Sequence, residues 1–152
     1  MIVYRLSKLI YASDLSGFGA SLSSTNRWNS KGVEMLYTAS NRSLAFAEVL
    51  AHLNRNEIPL DLAMVSLKLP RNSKITEAKL NKDHSILAIS ETQEIGNQFI
   101  DQKFQFALRV PSFAVQGEYN ILLNPHHPDM QKVQVEDVQP FTFDSRFFTG
   151  SR

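Results

Sequence analysis

The chain has 152 residues, no cysteine, a formal net charge of +1, 43% hydrophobic residues and 20% charged residues. That length predicts a single domain over residues 1–152, with a core large enough to fold without staples. The missing cysteines exclude disulfides, thiolate catalysis and cysteine zinc sites, and the near-neutral charge argues against a general electrostatic grip on nucleic acid.

The opening MIVYRLSKLIYASDL lacks a basic stretch followed by an apolar run and a small-residue cleavage site, so no signal peptide is expected. No apolar run approaches the roughly 20 residues of a membrane span, and a cytoplasmic location is the expectation. Ile2 to Leu6 predict a short strand, followed by a helical turn near Lys8 to Tyr11. Asp14 to Lys31 are rich in Ser, Gly and Asn and predict a long loop, a place where function often sits. Val33 to Thr38 predict a strand. Ser40 or Asn41 then caps a helix over LAFAEVLAHLN that ends before Pro59. Leu60 to Leu69 predict a strand, and Thr92 to Asp101 a second helix. Strands follow at Phe104 to Val110 and Tyr119 to Leu123, with a proline-marked turn at Asn124–Pro128. Val133 to Val138 alternate again, and Thr142 to Phe148 close the chain. Many short strands with few helices predict an α+β fold with mostly antiparallel sheet.

Glu48 and His52 are the only polar residues in Leu44–Leu53. Together with Asn41 and Arg55 they fall at helical spacing, so they form one stripe, the ordinary mark of a solvated helix face. Arg27 lies in a Ser/Asn-rich loop beside the only tryptophan, Trp28. Its guanidinium fork suits a phosphate, and it equally suits the surface. Tyr37 ends a strand, where it can stack on a flat heterocycle or simply fill the core. Ser112 has no G-x-S-x-G around it and no His/Asp relay, so a positioning bond or no role fits it better than nucleophilic attack. His126 and His127 are adjacent and point apart on an extended chain, and no H-E-x-x-H is present, so no metal site is expected. Gly17 and Gly19 have no third glycine at dinucleotide-loop spacing.

In order, these residues are more informative than singly. Arg27-Trp-Asn, Leu36-Tyr37-Thr-Ala and Ala45-Phe-Ala-Glu48-Val-Leu-Ala-His52 resemble the first half of the RES domain family, named for Arg, Glu and Ser. Thr92-Gln-Glu-Ile-Gly-Asn97 resembles the family's helix start. Val110-Pro-Ser112 and Glu118-Tyr-Asn120 through Asn124-Pro-His-His-Pro-Asp129 resemble its most recognisable tract, and Pro140 to Arg146 its closing segment. The resemblance runs from about Tyr4 to Phe148. Ser145 departs from a common proline, and Phe113 stands where a smaller residue is usual.

The resemblance implies an ADP-ribosyltransferase-like fold with mostly antiparallel sheets around an NAD cleft. It implies the toxin of a type II toxin–antitoxin system that cleaves the nicotinamide–ribose bond of NAD, depleting it by hydrolysis or phosphorolysis. Mono-ADP-ribosylation of a cytosolic protein is the alternative enzymatic reading, and a non-enzymatic protein-binding module the third. NAD would be a consumed substrate, with no recycled cofactor and no metal. A cognate Xre-type antitoxin would occlude the cleft near Arg27 and Glu48, a homodimer follows by analogy, and neither membrane nor direct nucleic-acid binding is expected. Arg27, Tyr37, Glu48 and Ser112 match the family's site positions, and Asn124 matches a recurrent one. By this resemblance Glu48 stabilises the ribosyl oxocarbenium ion, Arg27 holds the pyrophosphate or ribose edge, and Tyr37 stacks near nicotinamide. Ser112 adds one orienting hydrogen bond.

Overall fold

A computed structural model describes residues 1–54 and 57–149. Among the described residues seven strands form one hydrogen-bonded sheet: β1 (Ile2–Lys8), β2 (Leu36–Ala39), β3 (Leu62–Lys68), β4 (Ile75–Glu77), β5 (Ala107–Pro111), β6 (Tyr119–Leu123) and β7 (Gln134–Phe141). Their order across the sheet is β4-β5-β6-β2-β1-β3-β7. Every pairing is antiparallel except β4 with β5. The helices are α1 (Phe18–Ser21), α2 (Arg42–His52) and α3 (Ile89–Asp101).

The sheet has two wings. On one side β1 pairs with β3 along its length, from Ile2 opposite Lys68 to Lys8 opposite Leu62, and β7 continues from β3. On the other, β2 pairs with β6 from Leu36 to Ala39, and β5 and β4 follow. The wings meet at a single pair, Tyr4 opposite Ala39. The mostly antiparallel strands expected around a cleft are here joined into one sheet with a seam.

Alternation sorts the strand residues onto two faces. Val3, Leu36, Val65, Leu67, Ile121 and Leu123 form one buried cluster, against which Leu15, Met130 and Val133 pack. The opposite face carries both longer helices. Leu6, Ala39 and Met64 pack under Leu44 and Ala45 of α2. Leu108, Val110 and Leu122 pack under Phe99 and Ile100 of α3, together with Trp28. The two helices thus cover separate wings, and a gap remains over the seam.

One of the two expected caps is in place, and several other elements differ from their sequence reading. Asn41 is the cap of α2, its side-chain oxygen accepting from Leu44 N at 2.8 Å. The helix ends at His52, as Leu53 turns to extended backbone. Helix α3 begins at Ile89, three residues before Thr92, because Glu91 reaches back to the backbone N–H of Ala88 at 2.8 Å. The Lys8–Tyr11 turn is 3-10 over Leu9–Tyr11, and the Ser/Gly-rich loop contains α1. Strand β7 runs on to Phe141 as an exposed edge, where Pro140's missing N–H is tolerated, and the closing segment is only a 3-10 turn at Ser145–Phe147. Strand β4 had no prediction at all.

Candidate active site

A cavity of about 510 Å³ occupies the gap over the seam. Its floor is Tyr4, Leu6, Tyr37 and Ala39. One wall is α2, through Ala45, Glu48, Val49 and His52. The facing wall is the loop Thr25–Trp28 with Ile89, Phe113 and Asn120. Its size falls within the range of ordinary small-molecule sites.

Glu48 is half-buried and faces this cavity rather than open solvent. The polar stripe on α2 therefore does not mark a solvated face at Glu48. Arg55, the last residue of that stripe, lies outside the described residues. Ser112 Oγ donates to Glu48 Oε1 at 2.7 Å, and Asn120 Nδ2 donates to the same oxygen. Among the described residues no group donates to Oε2. One carboxylate oxygen is thus fixed by two donors and the other is left for a ligand.

The Ser112 hydroxyl is fully used. It accepts from Ala114 N at 3.1 Å and Val115 N at 2.9 Å, which leaves its single hydrogen for Glu48. Ser112 is 1% exposed and its one hydrogen is on the carboxylate, an arrangement that suits positioning and leaves no free hydroxyl for attack. Asn120 opposes Ala39 on β2 and Val110 on β5, which puts its side chain on the helix-covered face beside Glu48. Asn41, besides capping α2, donates to Glu118 Oε2 at 2.8 Å and ties the helix start to the turn before β6. His52 turns its Nδ1 back to the Glu48 carbonyl oxygen at 2.8 Å.

Arg27 faces Glu48 from the other wall. Its guanidinium lies 3.9 Å from the centre of the Phe113 ring and donates to Leu87 O at 3.4 Å. Among the described residues no carboxylate pairs with it, so its fork retains donors for an anion. Phe113, larger than the residue usual at its place in the resembling family, is the platform for this arginine. Its ring is braced edge-on by His84 at 5.3 Å and Trp28 at 6.2 Å.

The Tyr37 ring lines the cavity, but its hydroxyl does not serve a ligand. It donates to Asn29 Oδ1 at 2.7 Å and accepts from Trp28 N at 3.1 Å. Burial pushes the phenol well above its usual pKa, so it stays a neutral donor. Tyr37 therefore offers a ring face to the cavity and a hydroxyl to the Arg27 loop.

Asn124 is not brought to the cavity. It is fully buried at the end of β6, donating to Gln105 O at 3.3 Å and Ile100 O at 3.5 Å and accepting from His126 N at 3.0 Å. Its side chain is taken up by the backbone at Ile100 and Gln105 and by the turn that follows, and it does not line the cavity. Asn120 and Phe113 line the cavity without having been singled out by sequence. An asparagine inside the apolar strand YNILL was the available signal for the first. Among the described residues no three His, Asp or Glu side chains gather as a metal set.

The RES domain matches residues 2–144 of this sequence. The chain belongs to the RES domain family. It is 35% identical over 152 residues to "Toxin Res" of Pseudomonas putida, covering 97% of this chain and all of that one. It is 33% identical over 142 residues to the "Prs ADP-ribosylating toxin" of Sphingobium sp., covering 89% of this chain and 87% of that one. A chain in the crystal structure of the M. tuberculosis MbcT–MbcA toxin–antitoxin complex shares the α+β fold, with a TM-score of 0.71 at 14% identity, over 93% of this chain and 84% of that one. Among the described residues no helix is long and apolar enough to cross a membrane.

Proposed function

We propose that this RES domain chain is the toxin of a toxin–antitoxin pair and cleaves the nicotinamide–ribose bond of NAD. The observation that carries the reading is the Glu48 carboxylate, anchored through one oxygen by Ser112 and Asn120 and facing Arg27 and the Tyr37 ring across one cavity. Loss of nicotinamide leaves positive charge on the ribose. A fixed carboxylate beside the ribose hydroxyls stabilises that charge as it develops. Arg27, unpaired by any described carboxylate, holds the pyrophosphate, and its Phe113 platform limits the rotamer freedom lost on binding. The Tyr37 ring supports the flat nicotinamide. NAD is consumed in this reaction, by water or phosphate.

Nicotinamide release from NAD by the purified chain tests this. The wild type is expected to release it, and Glu48→Ala to be slower by about 10²–10³, the usual cost of one such electrostatic group. Equal background release by both, with and without phosphate, sinks the reading.

The name of the Sphingobium relative favours a second acceptor, a protein side chain. Adenine-labelled NAD separates the two: label on a protein band indicates transfer, free ADP-ribose or its phosphate indicates breakdown. Such an enzyme needs restraint in its own host. The toxin–antitoxin neighbour supports an antitoxin partner; by family resemblance it is of the Xre type and covers the cavity near Arg27 and Glu48. An antitoxin complex that binds NAD as well as the free chain does would refute occlusion.

A further inference from the structure

The loop that carries Arg27 is held from behind by α3. Thr92 Oγ1 donates to the Arg27 carbonyl oxygen. Gln93 Nε2 donates to Ser24 O at 3.1 Å and to Asn26 O at 2.8 Å. Asn97 accepts from Ser30 N at 3.0 Å and donates to Ser30 Oγ at 2.8 Å. Between them, Gly96 meets the loop backbone: a Cβ there would sit 1.7 Å from Trp28 O. Residues 92, 93, 96 and 97 lie on one helix face. Nearly all their bonds go to main-chain atoms, so the helix grips the loop's path from Ser24 to Ser30 with Arg27 in the middle. From the sheet side, the Tyr37 hydroxyl holds Trp28 and Asn29.

We propose that this face of α3 is a clamp that positions Arg27, with Gln93 and Asn97 as positioning residues for the anion that the arginine binds. A free Ser/Asn-rich loop would have to be ordered each time a ligand arrived, at a cost to affinity. Gripped at both ends and in the middle, the loop presents the guanidinium already placed across from Glu48. The identity of the anion, the NAD pyrophosphate, rests on the reading above, whereas the grip itself rests on the hydrogen bonds alone. The tract Thr92-Gln-Glu-Ile-Gly-Asn97 thereby gains a role: four of its six residues touch the Arg27 loop.

The test is a Gln93→Ala/Asn97→Ala double variant of the full chain. Both side chains are half-buried and outside the apolar clusters, so the fold remains. Trp28, the only tryptophan and 2% exposed, reports the loop through acrylamide quenching. The expected result is quenching raised about twofold or more and KM for NAD raised about tenfold, with kcat changed less than about threefold. In an Arg27→Ala background the same two substitutions leave KM unchanged, because the clamp acts through Arg27. Unchanged quenching overturns the clamp. So does an active enzyme whose KM is unmoved, or one whose KM rises equally in both backgrounds, since that marks general structural damage. A wild type that releases no nicotinamide overturns the NAD reading instead, and the quenching result still decides the grip.

Discussion

Replacing Ser112 with alanine removes three hydrogen bonds at one atom: the bond to Glu48 Oε1 and those from Ala114 N and Val115 N. Ser112 is 1% exposed, so water does not take the place of the hydroxyl. An orphaned buried donor costs about 1–3 kcal/mol, and with Ala114 itself exposed the two together cost about 2–4 kcal/mol. In a domain of this size each kcal/mol moves Tm by about 2–4 °C, which puts the loss at about 5–15 °C. The bond to the carboxylate is charge-assisted and worth about 1.5–3 kcal/mol. Asn120 still holds the same oxygen, so about half of that reaches the transition state, and kcat falls about 3–10-fold with KM little changed. The assay is nicotinamide release measured well below the lowered Tm, beside a thermal melt. A Tm loss with kcat within about twofold of wild type would refute the reasoning, leaving the hydroxyl a role in the turn alone.

Gly96→Ala drives a methyl into Trp28 O, and displacing the loop outweighs the roughly 1 kcal/mol that alanine gains in a helix; a lower Tm and a red-shifted Trp28 emission are expected. Tyr37→Phe keeps the ring and removes the hydroxyl from Trp28 N and Asn29; KM for NAD is expected to rise about 3–10-fold with kcat nearly kept, read by steady-state kinetics. Asn124→Ala breaks the buried turn and is expected to cost about 2–4 kcal/mol in a denaturant titration, while KM and kcat of the still-folded protein stay within about twofold, since Asn124 does not line the cavity.

The α+β class was legible because the alternation of Val133 to Val138 and the apolar spacing of LAFAEVLA are local signals. Strand β4 was not, since three residues at a parallel edge show no period. The start of α3 was hidden for another reason: its cap is a glutamate reaching back to Ala88, with no Ser, Thr, Asp or Asn at the cap itself. At the site, sequence order pointed to Glu48, Arg27, Tyr37 and Ser112 without saying that they meet. Glu48 and Ser112 are 64 positions apart and touch only because α2 covers the face of the sheet to which the end of β5 presents Ser112. The place of Asn124 was hidden because a buried asparagine that fastens backbone and one that lines a cavity have the same one-letter signal. The double duty of Tyr37 was likewise invisible, as its hydroxyl partners come from a loop without periodicity.

The seam between the wings has a mechanical consequence. Tyr4 opposite Ala39 is the one rung joining β1 to β2, directly under the cavity, so bending about that rung sets the width of the opening. The Glu48 helix packs on the wing that contains Leu6 and Met64, whereas Asn120 and Ser112 belong to the other wing. Their bonds to one carboxylate oxygen act as a rivet across the fold line. Glu48→Gln retains an oxygen that can accept both donors and removes the charge and the ligand-facing acceptor, but Glu48→Ala also removes the rivet and lets the wings splay. The two substitutions thereby separate the electrostatic part of this residue from its part in setting the shape of the mouth.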